Sequence, residues 1–151
     1  MNNKYMEEQT KIGNITALAE KRIYKEHNFI NQKMPVLIVD DSPLIIIKIT
    51  ELLEDFNAVT ILKACRSYAE AVNELEFYLP KIALLDINLP DKSGIELLQF
   101  IKGKSPETIV IMFTNQSSDY YKKLCLNKGA DYFLDKSKDF DHIPLILTSL
   151  S

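Results

Sequence analysis

The sequence has few cysteines and histidines, the residues that form disulfide bonds in small domains or bind metals through sulfur and imidazole. It contains only two cysteines, Cys65 and Cys125, and two histidines, His27 and His142, among 151 residues. The cysteines form no CxxC pair and have no histidine beside them, which argues against a disulfide framework or a structural zinc site. We interpret both as ordinary buried thiols. Neither histidine lies in a motif of Ser-His-Asp or Cys-His catalysis, so hydrolase chemistry of that kind is not expected.

Long apolar runs and a strong excess of one charge are also missing. The longest apolar stretches, such as Leu44–Ile47 and Ile82–Leu85, are far shorter than the roughly 20 residues that span a bilayer. Residues 1–9 lead into no apolar segment, so no signal peptide is expected. A net charge of −3 provides no positive field for nucleic acid. With 46% hydrophobic and 26% charged residues, we expect one cytoplasmic globular domain that neither enters a membrane nor binds nucleic acid directly.

The composition of the chain changes near residue 33, from a polar segment to short apolar runs. This change predicts an N-terminal extension at 1–33 and a domain at 34–151. The extension is polar and carries six basic and four acidic residues. Its apolar residues with helical spacing are Ile15, Leu18, Ala19, Ile23 and Tyr24. Asn14 is a candidate helix cap. We interpret the extension as a helix on the domain or a partly disordered leader, and a partner-binding arm is the alternative.

From Met34 onward, short apolar runs alternate with helical patterns. Strands are predicted at 36–39, 59–64, 81–86, 108–113 and 132–134, and helices at 43–56, 68–79, 95–102, 119–128 and 139–150. Alternating strands and helices, with strands that are apolar on both faces, predict an α/β fold with a doubly wound parallel sheet. In such sheets the functional groups lie beyond the carboxyl ends of the strands.

Four of the five predicted strands end in residues with useful chemistry. These residues are Asp40, Asp41, Asp86, Thr114 and Lys136. Asp40 and Ser42 could equally form an Asx turn and a helix cap. Asp86 ends a buried run, however, and neighbouring buried carboxylates repel each other unless a cation joins them. Oxygen ligands of this kind suit Mg²⁺, and an anion could bind Lys136 and Thr114. The set therefore suits phosphoryl transfer onto Asp86.

These residues and their neighbours resemble the receiver domains of two-component response regulators. The resemblance rests on four blocks in family order, which are Val36–Ser42, Asp86–Gly94, Phe113–Thr114 and Gly129–Lys136. It covers about residues 35–150. The resemblance implies a flavodoxin-like (βα)5 fold with strand order 2-1-3-4-5.

The resemblance also implies roles for individual residues at the strand ends. Asp86 would be the phosphoacceptor. Asp40, Asp41, Asp86 and the backbone carbonyl of Asn88 would hold Mg²⁺ as the cofactor.

Three further residues would belong to the phosphorylation machinery by the same resemblance. Thr114 and Lys136 would bind phosphoryl oxygens. Phe133 occupies the position of the switch aromatic, whose ring turns inward when Thr114 moves toward the phosphoryl group. Ser137 departs from the family pattern, because many receivers have a proline there after a cis bond.

The resemblance implies a single-domain response regulator of phosphorelay signal transduction. A sensor histidine kinase or a histidine phosphotransfer protein would donate the phosphoryl group, and a downstream protein would be the target. Such a protein promotes only its own phosphorylation and dephosphorylation, so we do not expect an enzyme. No segment long enough for an output domain follows the final predicted helix, so we expect the protein to act by docking on another protein. Leu44–Ile47 lies where receivers meet histidine-bearing helices, although core packing of that helix is the alternative.

Two other functions remain possible from the residues. A haloacid-dehalogenase-like phosphohydrolase would also use Asp86 as a nucleophile, but it needs a second aspartate two residues later, where this chain has Asn88. A phosphorylation-independent interaction module would use the receiver fold without chemistry and bind its partner through the N-terminal segment.

Overall fold

The computed structural model describes residues 3–31 and 33–151. Residues 1, 2 and 32 of the predicted extension lie outside the described residues, as does the side chain of Tyr24. The chain forms two compact units, Met1–Gln32 and Lys33–Ser151. Within the described residues, no helix is both long enough and apolar enough to cross a membrane.

The first unit contains one long helix, α1 (Asn3–Asn31). Asn14 lies inside this helix, so the predicted cap at Asn14 was wrong. The physical reason is the composition of residues 4–11, which includes Lys4, Met6, Glu7 and Glu8, because such side chains lose little freedom in a helix. The helix therefore continues through a residue that would otherwise favour its start.

The second unit is a five-stranded parallel sheet with helices on both faces. Its strands are β1 (Met34–Val39), β2 (Val59–Cys65), β3 (Ile82–Leu85), β4 (Ile109–Thr114) and β5 (Tyr132–Asp135). Its helices are α2 (Pro43–Glu54), α3 (Tyr68–Leu75), α4 (Gly94–Lys104), α5 (Asp119–Asn127) and α6 (His142–Leu150). All adjacent strands pair in parallel, in the order β2-β1-β3-β4-β5. The predicted fold class and strand order are therefore confirmed.

Serine side chains begin four of these helices. The N-caps of α2, α3, α4 and α5 are Ser42, Ser67, Ser93 and Ser118, and each side chain accepts a hydrogen bond from a backbone N–H of the first turn. Such caps satisfy N–H groups that have no partner within the helix. Gly129 follows α5 with φ 106°, a left-handed conformation that glycine adopts without strain, which confirms the predicted stop.

Two predicted helix boundaries differ from the structure by three or more residues and were wrong. Helix α3 ends at Leu75 rather than at residue 79, because the chain approaches Pro80 and the residue before a proline disfavours helical geometry. Helix α6 begins at His142 rather than at 139. The backbone N–H of Asp139 instead donates to the carbonyl of Asp135, which closes a turn after β5.

The sheet separates two hydrophobic clusters, because alternate residues of each strand point to opposite faces. The first cluster contains Leu37 and Val39 together with buried residues of α3, α4 and α5. The second contains Val36 and Ile38 together with buried residues of α2 and α6.

Both cysteines are free and buried in the first cluster, as the sequence predicted. Burial raises the pKa of the Cys65 thiol to about 12 and that of Cys125 to about 11. Because the thiolate is the reactive form, these side chains are packing residues at neutral pH.

The apolar run at the start of α2 divides between the core and the surface. Ile45 and Ile46 are partly buried against the second cluster. Leu44 and Ile47 are exposed. Core packing therefore accounts for half of this run, and the other half forms an apolar surface.

Candidate functional site

The site begins where β1 and β3 end side by side at the carboxyl edge of the sheet. The N–H of Asp40 donates to the carbonyl of Cys65 over 3.0 Å, and the N–H of Asp86 donates to the carbonyl of Val39 over 2.9 Å. Backbone pairing therefore continues one residue beyond each strand. It fixes the main chain of both aspartates and brings their side chains to the same edge.

Asp40, Asp41 and Asp86 form an acidic cluster whose ligand oxygens all lie within 4.8 Å of one another. Asp40 and Asp86 are only 2% and 5% exposed, whereas Asp41 is open to solvent. Carboxylate oxygens at this spacing, with one side open for water, are the donor set that Mg²⁺ prefers.

Burial disfavours the charged form of the Asp40 carboxyl group. It raises the pKa of this carboxyl group, although hydrogen bonds from Lys136 and from the N–H of Ser42 act in the opposite direction. The bond from Ser42 is 2.9 Å long and ends on Oδ1, so the predicted Asx turn is present within the cluster. The carboxylate is therefore costly to bury without a cation.

Lys136 supplies that cation in this structure. Its Nζ lies 2.5 Å from Oδ2 of Asp40 and 2.8 Å from Oδ2 of Asp86. The lysine side chain is only 6% exposed. Burial alone lowers the pKa of Lys136, but the hydrogen bonds with Asp40 and Asp86 outweigh burial and raise it. The ammonium group therefore remains charged between the two carboxylates.

Thr114 ends β4 at the same edge and is fully buried. Its hydroxyl oxygen accepts a hydrogen bond from the N–H of Gln116 over 3.1 Å. Its carbonyl accepts one from the N–H of Lys136, also over 3.1 Å. A backbone hydrogen bond therefore links Thr114, a predicted ligand of the phosphoryl group, to Lys136, whose ammonium group bridges Asp40 and Asp86.

The structure places the remaining predicted residues near this edge in different settings. Phe133 is partly buried on the face of the first cluster and pairs in register with Met112. Asn88 is exposed, and its N–H points to Oδ1 of Asp86 at 3.4 Å. The roles of Phe133 as a switch and of the Asn88 carbonyl as a metal ligand stay predictions.

The loop after β5 is held by Asp135, a residue that the sequence reasoning did not select. Its Oδ1 accepts hydrogen bonds from the N–H of Ser137 over 2.7 Å and from the hydroxyl of Ser137 over 2.5 Å. Its carboxylate also accepts a hydrogen bond from Ser117, in the loop after β4. No described peptide bond is cis. Ser137 therefore orders the loop around Lys136 through hydrogen bonds, at the position where many receivers have a proline.

The Asp135 contacts are expected to break in acid. Hydrogen bonds from Ser117 and Ser137 lower the pKa of Asp135 from 3.8 to about 2, with a smaller contribution from Lys138. Because the folded-state pKa is depressed, these contacts stabilise the loop fully above about pH 4 and are lost as pH falls toward 2. NMR titration of the Ser137 amide should show this transition. Asp135→Asn should abolish it, whereas Asp141→Asn should leave it in place. A Ser137 amide that titrates identically in Asp135→Asn would contradict the assignment.

Sequence reasoning also missed the importance of Gly94 and Arg66. A Cβ atom at Gly94 would overlap the carbonyl oxygen of Asp86 and lie 2.7 Å from its carbonyl carbon. Arg66 donates a hydrogen bond from Nη2 to the carbonyl of Asp41 over 3.2 Å. The position of Gly94 after the serine cap was visible, but its approach to Asp86 depends on the three-dimensional path of the loop.

With this geometry established, comparison with known proteins gives a family. Residues 36–148 match the response regulator receiver domain. The chain belongs to that family. Receiver domains bind Mg²⁺ at an acidic cluster, and in this receiver domain the matching cluster is that of Asp40, Asp41 and Asp86.

Individual relatives agree with the family. The DNA-binding transcriptional activator EvgA of Escherichia coli K12 is 30% identical over 110 residues, which are 73% of this chain and 53% of EvgA. The chain thus spans about half the length of the curated relatives that it matches most strongly.

Solved structures show the same fold. The CheY-like receiver domain protein from Methanospirillum hungatei has a TM-score of 0.67 at 29% identity, covering 78% of this chain and 95% of that one. The BeF3-activated DrrB receiver domain also has a TM-score of 0.67, at 28% identity, with 78% and 94% coverage. Receiver domains are signalling phosphoacceptors, which supports a role in phosphorylation signalling.

Proposed function

We propose that this receiver domain is a phosphorylation-dependent switch in which Asp86 accepts a phosphoryl group from a phosphohistidine. The donor would be a sensor histidine kinase or a histidine phosphotransfer protein. The observation that supports this proposal best is the position of Lys136, whose ammonium group joins two nearly buried carboxylates at the carboxyl edge of the sheet. One of those carboxylates belongs to Asp86.

The residues of the chain define the transfer step. An Oδ atom of Asp86 attacks the phosphorus, and the O–P bond forms as the N–P bond to the donor imidazole breaks. Lys136 would then pair with a phosphoryl oxygen, and the hydroxyl of Thr114 would donate to another. Asp40, Asp41, Asp86 and the Asn88 carbonyl would hold Mg²⁺, which would supply positive charge to offset the repulsion between carboxylate and phosphate.

The same contacts suggest how phosphorylation of Asp86 would change the surface of the domain. A Thr114 hydroxyl that turns toward the phosphoryl group leaves its hydrogen bond with the N–H of Gln116. The Phe133 ring would then turn further toward the first cluster, against which it already packs. Phosphorylation would thereby change the surface that a downstream protein recognises.

The test is intact-mass measurement after incubation with acetyl phosphate, with and without Mg²⁺. We expect one phosphoryl group on the wild-type protein when Mg²⁺ is present and none on Asp86→Asn. Asp141→Asn, which removes a carboxylate from the start of α6, should be phosphorylated like the wild type. A folded wild-type protein that acquires no adduct with Mg²⁺ present would overturn the proposal and favour a phosphorylation-independent interaction module.

A further inference from the structure

Helix α1 exposes an apolar stripe that the proposed function does not use. Its 29 residues extend about 43 Å at 1.5 Å per residue. The large apolar side chains of the stripe are all more than half exposed, and they are Tyr5, Ile12, Ile15, Leu18 and Ile23. Their separations of seven, three, three and five residues keep them within one side of the helix. A helix with such a stripe gains most of its stability from a partner surface.

Charged residues lie in the same stripe in a symmetric arrangement. Glu8 precedes Ile15 by seven residues, and Arg22 follows it by seven. Ile12 precedes Ile15 by three residues, and Leu18 follows it by three. In chain order, the set is acidic, apolar, apolar, apolar and basic, with Ile15 at its centre. Its members are Glu8, Ile12, Ile15, Leu18 and Arg22. Their spacings of four, three, three and four residues place them on one face.

We propose that α1 binds the α1 helix of a second copy of this chain in an antiparallel pair centred on Ile15. In that register, Glu8 of each copy faces Arg22 of the other, in addition to the interaction that Arg22 makes within its own chain. Ile12 of each copy faces Leu18 of the other. The two Ile15 side chains meet at the twofold axis. A parallel pair would instead place Glu8 against Glu8 and Arg22 against Arg22, which is repulsive.

The charge of the helix favours a second copy over an anionic lipid surface. Residues 3–31 contain five basic and four acidic residues, so the net charge is only +1. Helices that lie on lipid typically surround their apolar face with lysine and arginine. Within the stripe, an acidic residue (Glu8) and a basic residue (Arg22) lie at equal distances on either side of Ile15, which suits an identical helix running in the opposite direction.

The first test is the mass of the full chain in solution, measured by sedimentation over a range of concentrations. A monomer of 17.3 kDa should give way to a species of twice that mass. Ile15→Glu places two carboxylates at the twofold axis and should leave the protein monomeric, while phosphorylation of Asp86 should stay as in the wild type. A wild-type protein that is monomeric throughout, or an Ile15→Glu protein that still dimerises, would overturn the proposal.

Charge reversal tests the direction of the pair. Glu8→Arg and Arg22→Glu should each raise the dissociation constant by at least tenfold, and the two together in one chain should restore it. In a parallel pair the double variant would remain as weak as the single ones, because each position would still face its own copy. That outcome, with helix content unchanged by circular dichroism, would reject the antiparallel register.

Discussion

Replacing Gly94 with alanine is expected to destabilise the receiver unit (Lys33–Ser151) by about 3 kcal/mol or more and to reduce phosphorylation of Asp86. The added Cβ would overlap the carbonyl oxygen of Asp86 and lie 3.0 Å from the Cα of Ile87. Both neighbours are backbone atoms, so no side chain can rotate away. The N–H of Gly94 also donates to the carbonyl of Ile87 over 2.8 Å, which holds the helix start against the strand end. Relief of the overlap therefore moves the main chain of the proposed phosphoacceptor.

The control for this variant lies in the same helix. A Cβ at Gly103 meets nothing within 4 Å. Gly103→Ala should therefore be neutral or stabilising by up to about 1 kcal/mol, since alanine is the better helix former. Urea unfolding of both variants, with intact-mass phosphorylation in acetyl phosphate and Mg²⁺, distinguishes them. Equal stabilities for the two variants would show that the backbone near Asp86 adapts without cost.

Removal of the Lys136 ammonium group is expected to have the second large effect. Lys136→Met leaves the nearly buried carboxylates of Asp40 and Asp86 without their shared cation. Loss of one partner from a buried ion pair typically costs 3–5 kcal/mol, and protonation of Asp40, whose pKa burial already raises, offsets part of this cost. We therefore expect a loss of about 2–3 kcal/mol in metal-free buffer. A Mg²⁺ ion bound as proposed would neutralise the same carboxylates, so its addition should reduce the loss.

Urea unfolding with and without Mg²⁺ measures both parts of this expectation. Lys123→Met, on the exposed side of α5, is the matched control and should change stability by no more than about 0.5 kcal/mol. The proposed role of Lys136 also requires that Lys136→Met respond to phosphorylation more weakly than the wild type, for example in the amide chemical shifts of residues around Phe133. A variant as stable as the control in metal-free buffer would show that the carboxylates do not depend on the lysine.

The sequence was informative where a single residue pattern decides local structure. Apolar runs such as Ile82–Leu85 indicated strands buried on both faces, and the serine before Pro43 indicated the start of α2. The positions of Asp40, Asp86 and Lys136 after such strands predicted that they would meet at one edge. Strand order came from the family resemblance, because no local pattern specifies which strands are neighbours.

The features that escaped sequence reasoning depend on contacts between distant segments. The contact of Gly94 with the Asp86 carbonyl depends on how the loop returns to the strand. The position of the glycine in the sequence does not reveal this contact. Asp135 looked like an ordinary strand end, but its carboxylate binds groups on two different loops. The start of α1 was misplaced because a favourable N-cap residue, Asn14, competes with good helix formers on both sides.

The separation of the core by the sheet has a consequence for how such a chain can change over evolutionary time. Leu44 and Ile47 lie on α2, which packs on the second cluster, whereas Phe133 packs on the first. Substitutions at Leu44 or Ile47 alter one outer surface without repacking the residues around Phe133. Duplicated copies of the gene could therefore acquire new recognition surfaces on the α2 side while inheriting the opposite side unchanged.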